Sequence, residues 1–177
     1  MSKHEIKIVT WNVNSIEQKL IISKLQIFLE IHKIDIELIN EIILLNNLIL
    51  ELGDTKYITI YPQNTIRDGS AVIIKESIVY YEETQYQMDM QATTISIKDR
   101  NFSLVVSAAY SSRRHNLKKK HYLDFLRSLE EKFIAEEDLN AKNTYWRARL
   151  MTIKGRELLS VMQEHEYNNY SIDKSIY

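Results

Sequence analysis

The stretch "YLDFLRSLEEKFIAEEDLNAK", Tyr122–Lys142, decides the fold. It is rich in helix formers and contains no Gly or Pro. Propensity alone allows one helix from Leu117 to about Lys142. The alternative ends that helix near Glu131 and makes "KFIAEE", Lys132–Glu137, a strand that presents Asp138 at its end. In the first reading Asp138 and Asn140 sit in a charged helix end. In the second they stand at a strand terminus, where α/β folds gather ligands. Tertiary context overrides local propensity, and the rest of the chain favours the strand.

Working outward, "EIKIVTWNV", Glu5–Val13, is β-branched and bounded by Asn14 and Ser15, so it reads as a strand. Ser15 is placed to cap a helix running to about His32, with Ile16, Leu20, Ile21, Leu25, Phe28 and Leu29 near one face. "KIDIELIN", Lys33–Asn40, reads as a second strand. A strand, helix, strand opening favours parallel neighbours joined by a crossover. A short helix or loop is expected up to Leu52, then strands over Tyr57–Tyr61, Ala71–Ser77 and Thr93–Lys98. "KDRN" is a turn, and Phe102–Tyr110 completes an antiparallel hairpin. Tyr122, Phe125, Leu126 and Leu129 share a helix face, and "KGRELLSVMQEHE" is a final helix. This order predicts an α/β fold with mixed sheets.

The chain has 177 residues, with 23 basic and 24 acidic side chains and a formal charge of −1. That length suits one domain with a real core. Global charge argues for neither nucleic acid nor membrane, so local charge must. Cysteine is absent, which excludes disulfides, thiolate metal sites and a thiol nucleophile. The N-terminus lacks an apolar signal core, and Ile34–Leu52 is interrupted by charged and amide residues, so no membrane span is expected. An intracellular location, nuclear or cytoplasmic, fits this composition.

Taken singly, Asn12 is a polar strand terminator and Glu41 a capping or solvated carboxylate. Their order is more specific. "IVTWNVNS", "DIELINE", "RDGSAVIIK" (Arg67–Lys75), "MQATTISI" (Met90–Ile97), "SAAYSSRRHN" (Ser107–Asn116) and "DLNAKNTYWRARLMTIKGRELL" (Asp138–Leu159) follow one another. This series resembles the endonuclease/exonuclease/phosphatase superfamily, and more narrowly the endonuclease domain of jockey-type non-LTR retrotransposons. The resemblance runs from about Ile6 to Leu159.

It implies two mixed β-sheets packed as a sandwich flanked by helices, and divalent-metal-dependent phosphodiester hydrolysis with Mg²⁺ or Mn²⁺. By resemblance, Glu41 binds the metal and Asn12 helps position metal or phosphate. Tyr110 donates to the phosphate, Asp138 orients the water or serves the leaving oxygen, and Asn140 holds the scissile phosphate. A cation and neutral donors suit a transition state that gathers negative charge.

Departures are also evident. The family carries small residues before its Asp, where this chain has Glu136 and Glu137, and a His where this chain has Asn143. Its domain continues into a Ser-Asp-His motif with a general base, whereas this chain ends at Tyr177. The expectation is therefore a domain over residues 1–166, incomplete on its C-terminal side, with a loose tail over 167–177. Activity is expected to be impaired, since loss of a general base removes roughly 10²–10⁴-fold in rate. The alternatives are a catalytically dead fragment with residual nucleic-acid binding, and an interaction module using its apolar helix faces.

Arg113, Arg114, Lys118, Lys119 and Lys120 place five cations in eight residues. They read either as a solvated helix start or as contacts to phosphate. Lysines in a first helical turn oppose the helix dipole, so they do not serve helix stability. Arg147, Arg149, Lys154 and Arg156 form a second group. DNA, gripped through its backbone, is the expected partner. No obligate protein partner is evident.

Overall fold

The computed structural model describes residues 5–12, 18–42, 49–52, 55–60, 69–83, 90–99, 102–129, 132–146 and 148–168. Helix α2 covers Lys119–Ser128 and stops there, and strand β9 runs Phe133–Asp138. The strand reading of the deciding stretch therefore holds. Its cause is pairing: β9 lies parallel to β8 (Phe102–Tyr110), from Val105↔Phe133 to Tyr110↔Asp138. The backbone bonds of that ladder outweigh the helix preference of Ala-Glu-Glu.

Nine strands form two sheets among the described residues. The first has the order β1-β2-β5-β4-β3, with β1 at Ile8–Asn12, β2 at Ile36–Ile42, β3 at Ile49–Leu52, β4 at Thr55–Ile60 and β5 at Gly69–Lys75. The second has the order β6-β7-β8-β9, with β6 at Tyr81–Glu83 and β7 at Gln91–Asp99. Both are mixed. β1 and β2 are parallel, as their connection by α1 (Gln18–His32) predicts, and so are β8 and β9, joined through α2. The remaining pairs are antiparallel.

The sheets pack face to face, β2 and β5 against β7 and β8. Ile36, Leu38, Val72 and Ile74 meet Ile95, Ile97, Val106 and Ala108 in this layer. Leu25 and Leu29 of α1 cover the outer face of the first sheet at Ile39, Tyr57 and Ile73. Tyr122, Phe125 and Leu126 of α2, with Leu158 and Val161 of α3 (Ile153–Glu164), cover the second sheet at Ala92, Val105 and Ala109. Each fully buried aliphatic side chain contributes about 1.5–3 kcal/mol. Among the described residues three apolar layers thus hold two sheets and three α-helices.

Two elements differ from expectation. The helix or loop expected up to Leu52 includes strand β3, whose Ile49–Leu52 pairs antiparallel with β4. Strand β6 has only three residues, too few for a periodic signal. The proposed cap at Ser15 lies outside the described residues. Tyr167, assigned to a loose tail, packs its ring on Phe133 at 5.6 Å. Among the described residues no helix is long and apolar enough to cross a membrane.

Candidate active site

The C-terminal ends of β1, β2, β8 and β9 converge at one end of the sandwich. Asn12 and Asn40 are register partners, as are Tyr110 and Asp138. Strand alternation puts Tyr110 on the inner face with Val106 and Ala108. Across the gap between sheets, Asn12 Nδ2 donates to Asp138 Oδ2 at 2.6 Å. Asn40 Nδ2 donates to Glu136 Oε2 at 2.7 Å. Ser70, the register partner of Asn40, shares hydrogen bonds with Thr93 at 2.9 and 3.1 Å. One row across the first sheet, Asn12–Asn40–Ser70, is therefore bonded to residues of β9 and β7 in the second. Apolar packing gives way here to a polar seam.

Beyond β9 the chain turns sharply. Asn140 has φ 52°, a left-handed conformation that Asn tolerates better than most residues. Its backbone N–H donates to Asp138 Oδ1 at 3.3 Å, its Nδ2 donates to Ser111 O at 3.1 Å, and its Oδ1 accepts from Arg113 Nε at 3.0 Å. Ser111 N–H in turn donates to Asp138 O at 3.0 Å. The Tyr110–Arg113 segment and the Asp138–Asn140 turn are thus laced together. One hydrogen of the Asn140 amide has no role in these bonds, since an amide nitrogen carries two donors.

Glu136 and Glu137, carboxylates where small residues were expected, point to opposite faces of β9. Glu136 faces the seam, and its pKa is pushed up to about 8 by burial and then by Asp138, with the Asn40 bond opposing. Glu137 lies on the face of Phe133 and Ala135 beneath the helices, where burial pushes it up to about 7. Glu37 in β2 is fully buried with neither carboxyl oxygen hydrogen-bonded, and burial followed by Glu136 pushes it up to about 8. Desolvation neutralises these groups in part and so weakens their repulsion of an anion.

The structure unites Asn12, Tyr110, Asp138 and Asn140. Glu41 lies in β2 where the pairing with β5 shifts register, directly after Asn40, and its side chain lies outside the described residues. Arg113 is exposed beside Asn140, and Arg114 is exposed next to it. Lys118 is exposed as the α2 N-cap, and its N–H donates to His121 Nδ1 at 2.9 Å. Lys119 is ion-paired with Glu164 of α3. Arg149 is exposed, and Arg147 lies outside the described residues.

Lys154 departs from the surface grip expected of it. It is 7 % exposed, and its ammonium donates to Ser112 O at 2.7 Å and to Ser111 Oγ and Leu139 O at 3.3 Å. The α3 N-terminus lies against the turn after β9, so Lys154 faces carbonyls rather than solvent. Thr152 N–H donates to Lys142 O at 2.8 Å, and Asn143 Nδ2 donates to Gly155 O at 3.0 Å. A Cβ at Gly155 would stand 2.0 Å from Lys142 O. Sequence reading missed Asn40, Ser111 and Gly155, and took Asn143 only as a departure from the family's His. The Lys-Gly pair inside "TIKGRELL" is the one signal that could have found this packing, because a glycine within a helix marks a close approach.

A metal ion is implied by the resemblance, and the donors fit one in kind. The Asp138 carboxylate and the Asn12 side-chain carbonyl are hard oxygen donors of the sort that Mg²⁺ and Mn²⁺ take. Among the described residues no group of three His, Cys, Asp or Glu stands ready to hold an ion. The described histidines are placed elsewhere. His32 packs on Phe28 at 4.5 Å, His121 caps α2, and His165 stacks on Tyr167 at 5.9 Å. His115 closes the turn after Ser112.

No family model matches the chain. It is 26 % identical over 169 residues to the RNA-directed DNA polymerase from mobile element jockey of Drosophila funebris, covering 94 % of this chain and 18 % of that protein. The chain thus spans less than a fifth of the curated relatives it matches. Among solved structures it superposes on the endonuclease domain of TRAS1, a telomere-specific non-LTR retrotransposon, with a TM-score of 0.70 and 17 % identity. That match covers 95 % of this chain and 75 % of that one. An endonuclease/exonuclease/phosphatase family protein from Leptotrichia buccalis matches with a TM-score of 0.59 and 16 % identity, over 89 % and 74 % of the two chains. The chain has the endonuclease/exonuclease/phosphatase fold, and its sequence resembles that of jockey-type retrotransposon proteins.

Proposed function

We propose that this chain is a nuclease-type domain that binds DNA and hydrolyses its phosphodiester backbone with a divalent metal ion, at a low rate. The observation that carries the reading is the convergence of Asn12, Tyr110, Asp138 and Asn140 at adjoining strand ends. Glu41 and Asp138 are the proposed metal-side carboxylates, with Asn12 fixing the Asp138 carboxylate. Tyr110 and the remaining Asn140 N–H are donors to a non-bridging phosphate oxygen. A bound Mg²⁺ or Mn²⁺ would supply charge neutralisation at the phosphate and acidify the attacking water. Arg113 lies beside Asn140 and Arg114 follows it in the chain, both exposed and suited to the flanking backbone phosphates.

The low rate is proposed because the described histidines are each placed in another contact. That same observation favours a second reading, DNA binding without turnover. Nicking of supercoiled plasmid separates the two. The first reading expects Mg²⁺- or Mn²⁺-dependent nicking that disappears in Glu41→Ala and in Asp138→Ala. Folded protein that binds plasmid but nicks none of it at any metal concentration refutes the first reading and supports the second.

A further inference from the structure

We infer that Lys154 is a positioning residue, a buried ammonium that clamps the Ser111–Ser112 segment to the Leu139–Asn140 turn and so sets the phosphate-facing groups; this rests on the proposed function for its catalytic consequence. Three observations carry it. The ammonium bridges two chain segments that lie 27 or more positions apart in sequence, donating to Ser112 O and Ser111 Oγ on one side and to Leu139 O on the other. The clamped strand end also holds the Asn140 side-chain amide, whose Nδ2 donates to Ser111 O and whose Oδ1 accepts from Arg113 Nε, one residue beyond Ser112.

The third observation is that Lys154 is badly placed for anything else. It occupies the first turn of α3, after the Thr152 N-cap, where the helix dipole disfavours a cation. It is also buried, which disfavours its charge again and draws its pKa down, with Asp138 opposing. A cation held against both effects requires strong local acceptors, and two carbonyls, a hydroxyl and a nearby carboxylate provide them. Gly155 completes the clamp, because only a residue without Cβ lets α3 approach Lys142 closely enough for Lys154 to reach Leu139 O. The ammonium need not touch substrate. It acts through Asn140, Ser111 and Arg113.

Amide hydrogen exchange on the whole chain tests the clamp without DNA or metal. Lys154→Met is compared with Leu158→Ala, which loosens the same helix from the core without touching the ammonium. Exchange at Ser111 and Asn140 is expected to rise about tenfold more in Lys154→Met than in Leu158→Ala, with β5 and β7 amides alike in both. Equal changes at Ser111 and Asn140 in the two variants overturn the inference. Lys154→Gln, which keeps two donors on a shorter stem, is measured in parallel and is expected to fall between wild type and Lys154→Met. It carries the test if Lys154→Met does not fold, and exchange at Ser111 and Asn140 equal to wild type then overturns the inference.

In plasmid nicking, Lys154→Met is expected to lower kcat about 10–100-fold with KM within threefold, as misplacement of a transition-state contact does. A loss carried by KM alone overturns the inference. If the wild-type chain does not nick, the proposed hydrolysis fails, and the exchange comparison still decides the role of Lys154.

Discussion

Asn12 and Asp138 are separated by 126 positions in sequence, yet the Asn12 amide donates to the Asp138 carboxylate at 2.6 Å. The bond spans the two sheets and turns one Asp138 oxygen toward β1. The other oxygen accepts from the Asn140 N–H. The carboxylate is therefore held from both sides before any ligand arrives, which is the preorganisation that electrostatic catalysis requires.

Asn12→Ala is accordingly expected to leave the fold intact and lower stability by only about 1 kcal/mol, the usual net worth of one hydrogen bond. Its effect on metal-dependent nicking is expected to be far larger, about 100-fold. Chemical denaturation and plasmid nicking on one preparation check the contrast. An equal loss in both would mean that the bond is structural only.

Gly155→Ala is expected to cost about 3 kcal/mol or more, because its Cβ would meet the Lys142 carbonyl oxygen at 2.0 Å and backbone cannot retreat cheaply. Urea unfolding measures it. Wild-type stability in the variant would show that α3 can shift away from the turn.

Stability is expected to fall as pH rises from about 4.5 to about 8. Glu37 and Glu136 have folded pKa values raised to about 8, and Glu137 to about 7, from an ordinary 4.5. Between those limits the native chain holds protons that the unfolded chain has released, so the unfolded state binds fewer and stability declines with pH. Above about pH 8 this contribution is lost. Each group contributes a slope of at most about 1.4 kcal/mol per pH unit. Glu136→Gln, which keeps an acceptor for Asn40, is expected to flatten the decline between pH 6 and 8. An unchanged slope in that variant contradicts the assignment to Glu136.

The cations are expected to divide into two classes. Arg113→Ala and Arg114→Ala should each reduce the salt dependence of DNA binding by about one unit of slope. Lys119→Ala should not, since Lys119 is tied to Glu164 between α2 and α3. Binding titrations over a range of salt decide this, and equal effects from all three would place DNA across the helices as well.

Much of this arrangement was legible in the sequence, for reasons that differ by element. β1 and β2 announce themselves as short, β-branched apolar runs, and α1 by the 3.6-residue period of its apolar face. β9 is harder, since "KFIAEED" has a helical composition and becomes a strand only through its ladder with β8. β3 escaped because four residues hold too little pattern. Asn12, Asp138 and Asn140 were legible through motif order, whereas Asn40 and Ser111 act through partners far away in the chain. Lys154 was misread because its positive charge suggested surface, and nothing local reveals that a turn folds over it.

The seam of Asn12–Asp138, Asn40–Glu136 and Ser70–Thr93 has a mechanical consequence. Oily layers alone slide over one another at little cost, because apolar contacts have no direction. Three directional bonds at one end act as rivets that set the stagger of the two sheets. Cutting them one by one should leave a sandwich that still stands but whose halves shear. The first thing lost would be the alignment of Asn12 over Asp138, well before the protein unfolds.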